Sequence, residues 1–551
     1  MSFESVFVPF VVRFPISCAK PLGRGRCGYS KIEMMRYRAS VTTISSVIIV
    51  NAFLYLLYRE KTFVHIDAIA HVNKARGLFD NIEPGLRQLG TVWLPLPHIL
   101  MAPLASIDPL WRSGAAGSLL SVGCFIGTSL FLFMTGIEWT GSGIVGWLAF
   151  LFFAFNPHLI YLFTTPENEP LMILCITGLL YYLLRWVRRQ LWKDLALAAV
   201  FAFAGTWTRY EGWAVAAAAV VLMPIVTRKR RAASSIIFAG AAVTGPMLWM
   251  LFNLAYFEDP LMFAYGIGSA QDYASRAKYV TAGNWGDSAV LYFMDAAYCL
   301  NPALLWIGVG GLVVSSIFLR RGYWRPTVVL VAGCLTIFVF YTVNLYFNIV
   351  PITMPGMLKN DPLSVINVRY GAVMAATIPL FAALFVFFTL HQIERRRVFS
   401  LLLLAPLFLP DPIPSASHEA IGEQFTRNLF YTEAIHNQSF WMPPFIDVGN
   451  KLQTEVLAQP GLVLTNSRIV HVVVWATGIP MRRFVTEMNK DKWESNLQNI
   501  KPDVRWVITE EGDQLWNAHA KFLTERFVEI ATAKTDASRP VHLYRNPTRE
   551  N

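Results

Sequence analysis

Three side chains of different chemistry fall on one face of a predicted helix near the start of the chain. In the segment HIDAIAHVNKARG, Asp67, His71 and Lys74 follow one another at intervals of four and three residues, which places side chains on one side of an α-helix. A carboxylate there can take a proton from a hydroxyl or an amine, and an ammonium can attract an anion. The competing explanation is the solvated face of a helix at a membrane surface.

A second acidic site is predicted in the segment TTPENEP. Its two carboxylates, Glu167 and Glu169, stand where a long apolar run begins, and Glu169 is the nearer to that run. Helix capping is the competing explanation, because an acidic side chain is favourable near a helix N-terminus. Glu169 is the stronger candidate for chemistry because it lies closer to the membrane.

A third site interrupts the apolar stretch between residues 194 and 227. The segment TRYEGW brings Arg209, Tyr210 and Glu211 into an otherwise apolar sequence. Charges at membrane depth need a partner or a water-filled cavity. We therefore predict a hairpin of two short helices with these residues at its tip. A simple Arg–Glu pair is the alternative to a functional site.

Two further candidates are a histidine and an arginine. His98 closes the segment GTVWLPLPH, whose prolines prevent a regular helix through it; it faces a cavity, or is a satisfied buried histidine. Arg369 lies in NVRY, before a late apolar run. An arginine can hold a phosphate through two parallel hydrogen bonds and stabilise its charge as it leaves. Carboxylates and arginines together predict a reaction with an anionic leaving group.

The elements that must position these residues are membrane spans. The chain of 551 residues is 54% hydrophobic and 15% charged, with a mean hydropathy of +0.43, whereas soluble proteins carry about 25% charged residues. Apolar runs of about 15 to 23 residues recur, the length that an α-helix needs to cross a bilayer. We predict an α-helical polytopic membrane protein with about eleven spans, at 41–58, 115–135, 143–163, 169–187, 194–208, 212–227, 234–256, 299–319, 327–348, 369–390 and 398–410.

Positive charge gives the predicted orientation. The net charge is +11 and the pI about 9.3, but much of the excess lies in short clusters between apolar runs. This is the pattern of cytoplasmic loops and does not indicate nucleic-acid binding. With a cytoplasmic N-terminus, the charged candidates above share the outer face of the membrane. The clusters lie at 185–189, 228–231, 320–325 and 395–397.

Composition divides the chain into three parts. Residues 1–40 are a basic cytoplasmic leader, or they result from a start codon assigned too far upstream. Residues 41–410 hold the spans, and residues 411–551 have the composition of a soluble protein. The last part has no GxGxxG or GxxxxGK[ST] motif, so nothing there predicts nucleotide binding. Its β-type runs alternate with helix-like stretches and predict a small α/β domain on the outer side. These runs lie at 463–464, 483–485, 504–509, 528–531 and 541–544.

In the order and shared sidedness of these segments, the chain resembles the GT-C superfamily of membrane glycosyltransferases. That superfamily includes protein O-mannosyltransferases and the enzymes that transfer aminoarabinose to lipid A. The resemblance covers residues 41–410 and rests on HIDAIAHVNKARG, GTVWLPLPH, TTPENEPL, TRYEGW and VRY. It implies a polyprenyl-phosphate sugar donor, a lipid, glycan or protein acceptor, inversion at the anomeric carbon, and a place in a bacterial inner membrane.

The resemblance also implies roles for the candidate residues. Asp67 would be the general base or would orient the acceptor, and Glu169 would assist acceptor binding or ligate a metal if one is used. A divalent metal is compatible with the family and not required; Ala68 follows Asp67 where several relatives have a second acid, so a metal-ligating pair is not expected there. Arg209, Arg369 and Lys74 would bind the donor phosphate, and His71, Glu167, Tyr210, Glu211 and His98 would line the acceptor site or cavity.

Three other classes of protein compete with the transferase. A transporter or flippase of a lipid-linked sugar predicts charges near mid-membrane and internal symmetry, but the acids lie at one edge and no repeat is visible. An O-antigen ligase predicts a large outer loop between late spans. A non-catalytic scaffold leaves the outer-face charges without a purpose. The sequence leaves open the sugar, the acceptor, the metal and the oligomeric state.

Overall fold

The computed structural model describes residues 30–266, 269, 272, 279–320, 323–354, 357, 365–392, 429–535 and 539–547. The predicted span 398–410, most of the predicted leader and the boundary at 410 lie outside the described residues. The first helix already begins at Lys31, where Ser30 and Glu33 form a capping box, so the last ten residues of the predicted leader are helical.

Long apolar helices joined by short turns make up the described chain as far as residue 392. Short 3₁₀ segments at Leu86–Leu89 and Val368–Ala376 connect some of them. The α-helices are α1 Lys31–Tyr58, α2 Ile66–Gly77, α3 Leu96–Ala105, α4 Asp108–Arg112, α5 Ala115–Thr140, α6 Gly143–Ala154, α7 Pro157–Leu162, α8 Glu169–Arg189, α9 Trp192–Thr206, α10 Glu211–Val226, α11 Arg231–Phe257, α12 Met262–Tyr265, α13 Trp285–Leu300, α14 Pro302–Arg320, α15 Trp324–Tyr346 and α16 Ile378–Gln392.

The predicted count of eleven spans is not confirmed. In the described ranges, five helices are long and apolar enough to cross a membrane: α1, α5, α8, α11 and α15. Two further pairs of helices are apolar enough together but are bent at a short break, by 115° between α13 and α14 and by 54° between Val368–Ala376 and α16. Counting each bent pair as one span raises the number to seven. Three of the remaining apolar helices, α3, α6 and α10, are only 10 to 17 residues long.

Local breaks explain why some of the apolar runs are not single long helices. The predicted span 143–163 is wrong as a single helix, since α6 ends at Ala154 and the side chain of Asn156 caps α7 by accepting from the amides of His158 and Leu159. Between α13 and α14, Asn301 adopts a φ of 75° immediately before Pro302. Asparagine tolerates this left-handed conformation better than most residues.

The predicted hairpin at 194–227 is present, with α9 and α10 separated by residues 207–210. The far ends of α8 and α10 meet, because Gln190 Oε1 accepts hydrogen bonds from the backbone amides of Arg228 and Lys229, each at 3.2 Å. Two of the basic clusters therefore lie together at one end of the helical bundle. Glu169 and Glu211, at the N-termini of α8 and α10, lie at the other end.

A small α/β domain follows, as the sequence predicts. Strands β1 and β2 are parallel, β1 and β3 are parallel, and β5 pairs antiparallel with both β3 and β4, giving the order β2-β1-β3-β5-β4. Val463 pairs with Phe484 and Trp506 pairs with Arg545. The elements are α17 Leu429–His436, a π-helical turn Asn437–Trp441, α18 Pro443–Ala458, β1 Leu462–Leu464, α19 Ser467–Thr477, a 3₁₀ turn Met481–Arg483, β2 Phe484–Val485, α20 Lys490–Gln498, β3 Val504–Glu510, α21 Gln514–Arg526, β4 Val528–Ala533 and β5 Val541–Arg545.

The C-terminal domain packs on the segment that carries α2. Ile69 of α2 lies in the same buried hydrophobic cluster as Val470 of α19. The Asn73 side chain joins the two parts by donating to the carbonyl of His471 at 3.0 Å and accepting from Trp111 Nε1 at 2.8 Å. Apolar burial and this polar bridge hold the domain against the helix that contains Asp67.

Candidate active site

Arg369 is the centre of a buried ion cluster built from distant parts of the chain. Its Nε donates to Glu169 Oε1 at 2.9 Å, and its Nη2 donates to Asp67 Oδ2. Nη1 lies 3.5 Å from Glu433 Oε1. Asp67 belongs to the first turn of α2, Glu169 begins α8, and Arg369 lies in the 3₁₀ segment Val368–Ala376. The structure thus brings together three of the predicted site residues.

A second guanidinium shares the same carboxylate. Arg209, at the tip of the α9–α10 hairpin, donates from Nη1 to Glu169 Oε1 at 2.9 Å and from Nε to Glu211. Tyr341 of α15 donates its hydroxyl to Glu211 at 3.0 Å. The ring of Tyr370 lies 4.7 Å from the Arg209 guanidinium and 5.3 Å from that of Arg369, close enough for cation–π attraction.

Exposure separates the members of the cluster. The side chains of Glu167 and Glu169 are fully buried and that of Arg369 is 3% exposed, whereas that of Asp67 is 29% exposed and that of Arg209 is 15% exposed. Asp67 is therefore the carboxylate, and Arg209 the guanidinium, that a substrate can reach. The predicted contact between Arg369 and phosphate stays a prediction. Because Arg369 is buried among carboxylates, Arg209 is the better candidate for binding phosphate.

His65 is a cationic member of the cluster. Its Nδ1 lies 2.8 Å from Glu167 Oε1 and its Nε2 lies 3.4 Å from Glu433 Oε1. Burial alone lowers the pKa of His65, but the adjacent carboxylates, with Glu167 first, outweigh it and raise the pKa to about 10. The imidazole is consequently protonated near neutral pH.

The same charges keep Asp67 ionised. Burial on its own raises the pKa of this carboxyl group, but the Arg369 guanidinium and the cationic His65 together hold the pKa below its ordinary value. Oδ2 is engaged by Arg369, while Oδ1 has no hydrogen-bond partner among the described residues. Asp67 therefore offers one free, negatively charged oxygen on the open side of the cluster.

Local backbone geometry places Arg369 in the cluster. Asn367 has a φ of 59°, a left-handed conformation that asparagine tolerates. Glu433 of α17 accepts from the amides of Asn367 and Val368 at 2.7 and 3.2 Å. A carboxylate in this position is stabilised by the partial positive charge at the N-terminal end of the 3₁₀ segment. Gly371 then allows close approach to the backbone of Asp295, because a Cβ there would lie 2.5 Å from the Asp295 carbonyl.

Two histidines form a neutral group beside the cluster. His71 Nδ1 lies 3.0 Å from His98 Nε2 and 3.4 Å from Asn168 Nδ2, and its Nε2 lies 3.8 Å from Glu167 Oε2. Burial lowers the pKa of His71, and neighbouring cations lower it further. Both histidines are buried. They lie next to the acids, and their place in an acceptor site or cavity stays a prediction.

Lys74 and Tyr210 lie apart from the cluster. Lys74 Nζ donates to the carbonyl of Leu89 at 3.4 Å, and it faces the C-terminal domain instead of the two arginines. The hydroxyl of Tyr210 donates to the carbonyl of Val92 at 2.7 Å and accepts from Trp249 Nε1 at 3.3 Å. Tyr210 thus fastens the hairpin tip to the segment that precedes α3. The structure does not bring the predicted phosphate ligand Lys74 to Arg209 or Arg369.

The acids do not fit a metal site. Throughout the described ranges, no three His, Cys, Asp or Glu side chains are grouped so that they could hold a metal ion. Glu169, which the resemblance makes a candidate metal ligand, binds Arg369 instead, as Asp67 does. A guanidinium held between two carboxylates neutralises the charge that would attract a dication.

Comparison with known proteins gives a fold. No protein-family model and no curated protein matches the chain. The crystal structure of ArnT from Cupriavidus metallidurans bound to undecaprenyl phosphate is 14% identical, over 90% of this chain and 97% of that chain, with a TM-score of 0.52. The apo state of that protein gives 0.48 at the same identity and coverage. An oligosaccharyltransferase from Archaeoglobus fulgidus gives 0.46 at 12% identity, over 93% of this chain and 75% of that chain.

The fold assignment rests on the first of these structures. The chain has the GT-C fold. The resemblance that the short segments predicted is therefore confirmed at the level of architecture, and it extends into the C-terminal part, since the match covers 90% of the chain. In this example of the GT-C fold, the segment after α1, the start of α8, the α9–α10 tip and the segment before α16 meet in one ion cluster.

Sequence reasoning missed several members of this ion cluster. His65 stands two residues before Asp67 in the segment already singled out, and its position at the N-cap of α2 was the available signal. Tyr370 follows Arg369 directly, in the quoted VRY segment. Glu433 carried no signal, because it follows the apolar helices in sequence and lies outside the segments that carry the resemblance. Asn168, between the two predicted acids, bonds to His71 instead of capping α8.

Proposed function

We propose that the protein is a glycosyltransferase that moves a sugar from a polyprenyl-phosphate donor to an acceptor at the outer face of the membrane. The observation that carries the proposal is the free, ionised oxygen of Asp67, which lies on the open side of a cluster whose second reachable group is Arg209. A base and a phosphate ligand at one opening are the two groups that this transfer needs.

The reaction that fits these groups is a single displacement. As the acceptor oxygen or nitrogen attacks the anomeric carbon, its proton passes to Asp67 Oδ1. The bond from the anomeric carbon to the phosphate oxygen breaks, and its electron pair stays on the polyprenyl phosphate. Arg209 stabilises the growing charge on that phosphate. Attack opposite the leaving group inverts the anomeric carbon.

The remaining charges orient the base. Arg369 fixes Asp67 through Oδ2 and leaves Oδ1 for the acceptor, while Glu169 holds both arginines through one oxygen. His65, Glu167 and Glu433 surround Arg369 on its buried side. A base held this way makes its hydrogen bond to the acceptor without reorganisation.

Charge sidedness supports an extracytoplasmic reaction. The ion cluster lies at one end of the helical bundle, and the basic loops near Gln190 lie at the other end. An excess of arginine and lysine is typical of cytoplasmic loops. We place the cluster and the C-terminal domain on the outer side of a bacterial inner membrane. The acceptor is a lipid, a glycan or a protein, and nucleic acid is not a substrate.

The test is sugar transfer from a radiolabelled polyprenyl-phosphate sugar pool in membranes. Asp67→Asn should reduce transfer by about 100-fold or more, in the range expected for loss of a general base. Asp108→Asn is the matched control, because the side chain of Asp108 is 60% exposed and pairs only with Arg76 at 2.8 Å. Protein levels are equalised by immunoblot.

Each of three outcomes decides the proposal. Lost transfer in Asp67→Asn, with transfer intact in Asp108→Asn, supports the base. Undiminished transfer in Asp67→Asn removes Asp67 from the chemistry. Wild-type membranes that move no sugar from any lipid donor contradict the transferase and favour a transporter of lipid-linked sugars.

A further inference from the structure

A small, partly open cleft lies between α2 and the C-terminal domain. Neither Asp67 nor Arg369 lines it. Its walls are mostly polar on the side of α2 and more apolar on the side of the domain. The polar lining residues are Lys74, Asn81, Gln88, Ser467, His471 and Thr486.

Lys74 brings an unpaired ammonium into this cleft. Among the described residues, no carboxylate lies within 4.0 Å of its Nζ, and its one hydrogen bond is the 3.4 Å contact with the Leu89 carbonyl. The ammonium lies 5.5 Å from the centre of the Trp93 ring. Burial lowers the pKa of Lys74 to about 8, which leaves the amine largely protonated at neutral pH. An ammonium has three donors, so most of its hydrogen-bonding capacity is unused.

His471 adds a second unsatisfied group on the opposite wall. Its Nδ1 is buried and has no hydrogen-bond partner in the part of the chain that the structure describes, although its backbone carbonyl accepts from Asn73. Burial lowers the pKa of His471 to about 3, with Lys74 adding to the effect, so the ring is neutral and can donate one hydrogen bond. Buried polar groups without partners cost free energy unless a ligand satisfies them.

The nearest acid leaves the ammonium free for a ligand. Glu487 acts on Lys74 electrostatically, but it does not line the cleft. Its carboxylate accepts from the Ser467 amide at 2.7 Å, and burial raises its pKa. The cleft therefore combines one cation, one neutral imidazole and amide and hydroxyl groups, which is the donor set for a phosphate or carboxylate.

We propose that this cleft binds an anionic group on the acceptor, with Lys74 as its main ligand and His471 as a second donor. The proposal rests on the proposed function and adds the chemical class of the acceptor. Lys74 is seven residues after Asp67 on α2, so the anion lies about 10 Å along the helix from the base. An acceptor with a phosphate or carboxylate at that distance from its nucleophile spans both sites.

The test is affinity labelling of the full chain in detergent. Pyridoxal 5′-phosphate and its uncharged analogue pyridoxal each condense with an amine to an imine with loss of water, and borohydride fixes the product for mass spectrometry. The ratio of labelling by the two reagents at Lys74 should exceed the ratio at Lys521 by about fivefold or more. Lys521 is the internal control because its side chain is 88% exposed.

Competition then identifies the source of the anion. Inorganic phosphate should protect Lys74 from pyridoxal 5′-phosphate, and His471→Ala should weaken that protection without abolishing labelling. Equal reagent ratios at Lys74 and Lys521 would overturn the anion site. Protection by undecaprenyl phosphate in the micelle, with none by inorganic phosphate, would overturn the acceptor assignment and give the cleft to the donor. Labelling requires no turnover, so its outcome is independent of the sugar-transfer test.

Discussion

Glu169 shows how one residue can hold a site together. Its Oε1 accepts from both Arg209 and Arg369 at 2.9 Å, and its side chain is fully buried. Removing one partner of a buried ion pair leaves the other charge unsatisfied, which destabilises proteins by about 3 to 5 kcal/mol. Glu169→Gln leaves two guanidiniums short of a carboxylate. We expect a lower melting temperature in detergent and loss of most sugar transfer.

The control for this variant is Glu258→Gln. Glu258 pairs with Lys490 at 2.7 Å, but its side chain is 79% exposed, and exposed pairs contribute little. Its melting temperature should equal that of the wild type. A Glu169→Gln protein as stable as the control would mean that water or the remaining acids satisfy the arginines.

His65 predicts a pH dependence of stability. Its pKa rises from an ordinary 6.5 to about 10 in the folded protein. The stabilisation is therefore complete below pH 6.5 and is lost as the pH rises through 10, by at most about 1.4 kcal/mol per pH unit. The difference in melting temperature between the wild type and His65→Gln should be largest near pH 6 and shrink towards pH 10. A difference that grows with pH would show that His65 is neutral in the fold.

The 3₁₀ segment that carries Arg369 is the element on which the site depends most directly. A Cβ at Gly371 would lie 2.5 Å from the Asp295 backbone, so Gly371→Ala must move the segment. Overpacking of this kind costs about 1 to 3 kcal/mol. We expect transfer to fall by about tenfold or more, because Arg369 is only two residues away.

Gly240→Ala is the matched change for that prediction. Gly240 lies in α11, and nothing stands within 4 Å of its Cβ position. Alanine favours a helix over glycine, so stability should be unchanged or slightly higher, with wild-type transfer. If both variants retain full transfer, the position of the 3₁₀ segment does not limit the reaction.

Elements differ in how far the sequence determines them. The five strands, α2 and the α9–α10 hairpin follow the predicted positions, because alternation and charge spacing are local properties. The breaks at Asn156 and Asn301 were not predicted, since an apolar run gives length without showing where a cap or a left-handed residue ends a helix. The start of the 3₁₀ segment Val368–Ala376 is bonded by Glu433, sixty-odd residues away in sequence, and no local pattern reveals that contact.

The sequence predicted the acidic residues of the site better than it predicted which groups contact each other there. Asp67, Glu169 and Arg209 carried signals because charges are rare in an apolar sequence. Whether Arg369 holds carboxylates or phosphate depends on how four segments meet, which no spacing reveals. Lys74 shares a face with Asp67, as the spacing predicted, but the domain packed on α2 determines what that amine faces.

At the scale of the whole molecule, the C-terminal domain belongs to the site. It supplies the wall of the cleft opposite Lys74, and it packs on the helix of the proposed base. Glu433, in the first described helix of this domain, reaches Arg369. Docking of this domain and the geometry of the ion cluster should therefore change together.

Asn73 is the polar bridge on which that docking can be tested. Asn73→Ala removes its hydrogen bonds to His471 and Trp111, and it leaves the buried indole N–H of Trp111 without a partner among the described residues. Such a loss costs about 1 to 3 kcal/mol. Hydrogen–deuterium exchange should accelerate in Ser467–Thr477, and transfer should fall severalfold. Asn51→Ala is the control, since Asn51 lies on an exposed face of α1 and bonds only to the Val47 carbonyl. Faster exchange in α19 with undiminished transfer would separate the domain from the chemistry, and the acceptor cleft would then lose its connection to the base.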